Sequence, residues 1–138
     1  MTALRLGVLI VAAALTAIPA AQAYPQKEAD VLLTVSYAVA TAGHKNRKGA
    51  EAFCRQAKGT LSAKAEDAYL FSHIERCFGA VAATLDDKKD ACAHYKKALD
   101  IWKRTPPPED HPQSVASRTQ LRDSMLRYRT DNCGAKTP

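Results

Sequence analysis

What this chain of 138 residues lacks narrows its chemistry first. It has no Gly-x-Ser-x-Gly elbow, no phosphate-cradling glycine loop, no Cys-x-x-Cys redox pair and no Cys-x-x-Cys-His haem signature. Hydrolysis through an activated serine, nucleotide binding, thiol exchange and covalent haem therefore have no motif to rest on. Aromatics are few, with one Trp, three Phe and five Tyr. No period-2 alternation and no Asn-Gly turn signal a strand or hairpin.

What is present begins with a basic start, Arg5, followed by an apolar stretch from Leu6 to Ile18. Pro19 breaks that stretch, and the small residues of Ala21-Gln22-Ala23 follow. This is the order of a cleaved secretory signal. The apolar stretch is shorter than the roughly 20 residues a membrane-spanning helix needs. The expectation is a signal over residues 1–23 and a single domain over residues 24–138, with the mature chain starting at Tyr24 after a cut at Ala23. Arg5 is the one charge removed, so the formal +6 becomes +5, a moderately basic domain that favours acidic partners or anionic surfaces.

Four cysteines, Cys54, Cys77, Cys92 and Cys133, all lie in the expected mature part. An even count in a small exported domain reads as two disulfides, and it places the protein in the periplasm or outside the cell.

Hydrophobic spacing predicts five helices. The first spans about 27–43, with Leu32, Val35, Val39 and Ala42 on one face and Gly43 at its end. The second spans about 49–59, with Ala50, Phe53, Cys54 and Ala57 on one face. The third, about 65–84, has the strongest stripe, including Leu70, Ile74, Cys77, Phe78 and Val81. Asp86-Asp87 then turns the chain and caps a fourth helix, about 88–103, with Cys92, Tyr95, Ala98 and Trp102 aligned. Four prolines among the eight residues from Thr105 to Pro112 enforce an extended loop. Ser114 is the expected cap of a fifth helix, about 115–131, with Val115, Leu121, Met125 and Tyr128 on its inner side.

The first helix pair can be laid on the second in a single register. Tyr37-Ala38 then falls on Phe78-Gly79, Asn46-Arg47-Lys48 on Asp87-Lys88-Lys89, Ala50 on Ala91 and Ala57 on Ala98. A helical hairpin repeated in this way marks an α-solenoid or a related bundle. Residues 75–106 resemble a tetratricopeptide repeat: Gly79 stands at the small position of its first helix, Ala91, Tyr95 and Ala98 supply the small–aromatic–small order of its second, and Pro106 follows. Glu75 and Ala82 depart from the family's aromatics, and the period exceeds its usual roughly 34 residues. The resemblance implies stacked antiparallel helices with a concave surface for a peptide or protein.

Residues equidistant from a turn meet across antiparallel helices. This favours Cys54–Cys77 and Cys92–Cys133, with Cys77–Cys92 and Cys54–Cys133 as the rival pairing. Zinc held by His73, Cys77, Cys92 and His94 would need thiolates that disulfides consume, so no metal site is expected. Ser72-His73 point about 100° apart on a helix and read as its polar face rather than a dyad. Glu66-Asp67 and Asp86-Asp87 sit at helix starts, where they cap, and Glu75 has Arg76 and solvent as its expected company.

The expectation is therefore an all-α array of antiparallel hairpins with two disulfides, no enzyme, no cofactor and no small-molecule substrate. It would bind a protein or peptide, an acidic one included, through Tyr37, Tyr69 and an arginine stripe of Arg118, Arg122 and Arg129. Anionic lipid headgroups are a second docking option for that stripe, and the compartment disfavours nucleic acid. The alternative role is a small envelope stress, chaperone or inhibitor protein of the immunity type.

Overall fold

The computed structural model describes residues 20–108 and 112–134. The expected signal falls largely on residues 1–19, outside that range. Among the described residues the elements are α1 (Ala20–Gly43), α2 (Arg47–Gly59), a 3₁₀ turn (Ala65–Asp67), α3 (Leu70–Thr84), α4 (Lys88–Arg104) and α5 (Pro112–Asn132). Helix α1 packs on α2 and α3, α2 on α3, α3 on α4, and α4 on α5. The molecule is thus all-helical: two hairpins in series with a fifth helix on the second, and no described helix is long and apolar enough to cross a membrane.

The two hairpins turn in the same way at equivalent positions. Lys45 and Asp86 both take left-handed backbone, at φ 61° and 59°. Their amides bond back to Ala42 O at 2.8 Å and Ala83 O at 3.1 Å. The next residue caps the following helix in each case: Asn46 accepts from Gly49 N, and Asp87 from Asp90 N. These side chains satisfy amides that the first helical turn leaves open. Arg47 then bridges the two turns by pairing with Glu51, Asp87 and Asp90.

Small residues decide how closely the helices approach. Ala38, Ala42, Ala50, Ala91 and Ala98 are fully buried. Tyr95 of α4 stands where α2 has Cys54, and its ring lies against Gly79. A Cβ added at Gly79 would meet that ring at 2.7 Å. Hairpin one places only Cys54 there, so it tolerates Ala38 at the position equivalent to Gly79.

The disulfides are Cys54–Cys77, which joins α2 to α3, and Cys92–Cys133, which joins the start of α4 to the end of α5. No described cysteine is free.

Several expectations need correction. The third helix is shorter than expected, because a 3₁₀ turn and Ala68-Tyr69 occupy its first residues. Within that turn Asp67 is not exposed. It accepts from Lys27 Nζ at 2.6 Å, Ser62 N at 2.6 Å and Ser62 Oγ at 2.9 Å. Burial opposes its ionisation, but these bonds outweigh burial and hold the pKa below the usual range. Helix α5 begins at Pro112, so Ser114 lies inside it rather than capping it. Proline suits a first helical turn, where its missing N–H costs nothing.

Candidate functional site

Two arrangements gather polar chemistry where α1, α3 and α5 converge. The first is a buried cluster. Glu28 of α1 accepts from His73 Nε2 of α3 at 3.0 Å. It also accepts from Arg118 of α5, through Nε at 3.0 Å and Nη2 at 2.5 Å. Arg118 Nη1 donates to Pro108 O at 2.5 Å, which anchors the proline loop. All three side chains are buried: Glu28 is 4 % exposed, His73 0 % and Arg118 2 %. Tyr69 and Trp102 wall the cluster, their rings edge to face at 5.1 Å, and the Arg118 guanidinium sits 5.5 Å from the Tyr69 ring centre.

The electrostatics follow from this geometry. Burial by itself would raise the Glu28 pKa, but the hydrogen bonds and charge from His73 and Arg118 overcome it and bring the group down to about 2. Burial also lowers the His73 pKa, outweighing the carboxylate that favours its protonation. His73 is therefore neutral near pH 7, with Nε2–H assigned to Glu28. Its Nδ1 is buried without a hydrogen-bond partner among the described residues. A neutral His beside a paired carboxylate and a guanidinium makes a structural tie across three helices.

The second arrangement is a groove of about 640 Å³ beside that tie. Leu32 and Val39 of α1 and Leu121 of α5 give it apolar walls. Ser36 of α1 and Ser117 and Gln120 of α5 add polar groups on both sides. Helix α3 contributes Arg76, the only charged lining residue among those described. Arg76 Nε is buried without a partner among the described residues, and burial pulls the Arg76 pKa down because the charged form loses water.

The residues expected to touch a partner divide between surface and core. Tyr37 is 55 % exposed on α1, where it stacks on Phe53 at 5.9 Å between ring centres. Arg122 is exposed beside Asp123, and Arg129 is half-buried. Tyr69 and Arg118 are buried and cannot form a contact surface. The arginine stripe is therefore broken at Arg118, which Glu28 draws inward. Val115, expected inside, is 39 % exposed. The inner side of α5 is carried by Arg118, Leu121, Met125 and Tyr128.

Two further expectations shift. Ser72 and His73 lie in the core rather than on a polar face, because α3 is covered by α1, α2 and α4. Glu75 pairs with His94 Nδ1 at 2.7 Å rather than with Arg76. That leaves Arg76 without a carboxylate among the described residues. Glu28 and Arg76 were not singled out from sequence. The available signal was an opposite charge in each of two apolar stripes: Glu28 shares a helical face with Val31 and Val35, and Arg118 shares one with Leu121 and Met125 at the same spacing.

No family model matches the chain, and neither a curated protein nor a solved structure matches it.

Proposed function

We propose that this chain is an exported, disulfide-stapled helical interaction module that binds a protein or peptide in the periplasm or outside the cell. The observation that carries the reading is the groove. It opens between α1 and α5, is large enough for a ligand site (about 300–1,000 Å³) and holds a charge that no described residue pairs with. Two disulfides and the Glu28–His73–Arg118 tie hold its walls. Rigid walls lower the entropy lost on binding.

Export is supported by the order of Arg5, the apolar stretch and Ala21-Gln22-Ala23, and by two disulfides, which persist in oxidising compartments. The repeated hairpin and the resemblance of residues 75–106 to a tetratricopeptide repeat support a binding role. The test is native co-purification from the envelope and culture fluid with the tagged mature protein, beside a Gln120→Trp variant that fills the groove. A partner held by the parent and lost from the variant is expected. A partner retained equally by both, or no partner in either fraction, would overturn the reading.

A further inference from the structure

We infer that the groove takes an acidic–aliphatic peptide segment, whose carboxylate pairs with Arg76 while its aliphatic side chains lie on Leu32, Val39 and Leu121. The inference rests on the binding role proposed above and names the chemistry of the partner. Five observations lead to it. Among the described residues Arg76 is the only charge in the lining, and none of them adds an acidic group to the groove. Its Nε is buried and unbonded among the described residues, so a partner without an anion would seal an uncompensated cation into an apolar site.

There is one cation rather than a cluster, which suits the single charge of a carboxylate better than the double charge of a phosphate. Ser36 stands on one wall and Ser117 and Gln120 on the other. A peptide backbone brings both donors and acceptors to these groups along its length, whereas an aliphatic acid has only the acceptors of its one carboxylate. The equivalent of Arg76 in the first hairpin is the buried Val35, so the hairpin repeat itself does not require a charge here.

The test is selection from a random dodecapeptide display library on the mature, disulfide-intact protein, followed by binding of the enriched synthetic peptides. Enriched peptides are expected to carry Asp or Glu flanked by Leu, Ile or Val. Arg76→Met should weaken them about tenfold or more, as loss of a hydrogen bond to a charged group implies. Exchanging the peptide's Glu for Gln should cost the same, and the two changes together little more than either. Arg76 has no carboxylate partner among the described residues, and Met keeps the packing of its apolar stem, so the melting temperature of Arg76→Met should not fall, which separates lost binding from lost folding.

Enrichment of basic or uncharged peptides, or binding indifferent to Arg76→Met, would overturn the assignment to Arg76 while leaving the co-purified partner intact. Displacement of the selected peptides by octanoate at comparable concentration would overturn the peptide in favour of a small aliphatic acid.

Discussion

Removing the Glu28 carboxylate should unfold this domain more readily than any other single side-chain change on α1. Glu28→Met deletes the acceptor of His73 and of two Arg118 donors, leaving two buried polar groups without it. Breaking a buried pair from one side costs about 3–5 kcal/mol, against a total stability of about 5–15 kcal/mol for a small domain. For this size each kcal/mol moves the midpoint by about 4 °C. The variant should therefore melt about 12–20 °C lower.

The informative partner is Glu28→Met/Arg118→Met, in which both charges are gone. Apolar replacement of a whole buried pair is often close to neutral, so the double variant should recover much of the loss. The assay is guanidinium unfolding at pH 7 with disulfides intact, read as a double-mutant cycle. A single-variant loss below about 1 kcal/mol, or a double variant no better than the single, would refute the claim that the pair is buried and mutually dependent.

Three other outcomes follow from the same structure. Glu28 ionises at about 2 when folded against 4.5 ordinarily, so its contribution, on the order of 3 kcal/mol, is present above pH 4.5 and is lost as pH falls toward 2. Asp67 shifts in the same direction. Folded His73 resists protonation, so the unfolded chain also gains as pH falls below 6.5. Urea midpoints should therefore fall steadily with acid, and a flat profile between pH 6.5 and 3 would contradict the burial. Gly79→Ala should cost about 1–3 kcal/mol by forcing the Tyr95 ring aside, and thermal unfolding that leaves the variant unchanged would show that the ring yields freely. Cys92→Ser/Cys133→Ser opens a loop with a sequence separation of 41 and should cost about 4 kcal/mol by chain entropy. Because α5 supplies Ser117, Gln120 and Leu121, hydrogen exchange on α5 should accelerate, and unchanged α5 protection would place the restraint elsewhere.

Sequence periodicity reached the helices because each hairpin repeats small residues and a polar cap at the same offset, and these are local signals. The disulfide pairs followed from distance to the turns, which antiparallel packing makes meaningful. The rotation of the terminal helices was harder to read. On α1 the fully buried face is Val31, Val35, Ala38 and Ala42, while Leu32 and Val39 turn to the groove. Aliphatic residues satisfy both faces equally well in a sequence pattern. The candidate site was hidden for a different reason. Glu28 and Arg118 are far apart in the chain, and each alone reads as a solvated charge; only the tertiary contact removes both from water. Likewise, Arg76 looked paired with its neighbour Glu75 until His94, from the adjacent helix, took that carboxylate.

The hydrogen bonds between Glu28 and Arg118 join the first and last of the described helices. An open stack of hairpins can fray from its ends, each unit leaning only on the next. Here the opposite ends hold one another, so neither terminal helix can peel away without breaking a contact made by the other. Loss of structure should accordingly be a single cooperative event.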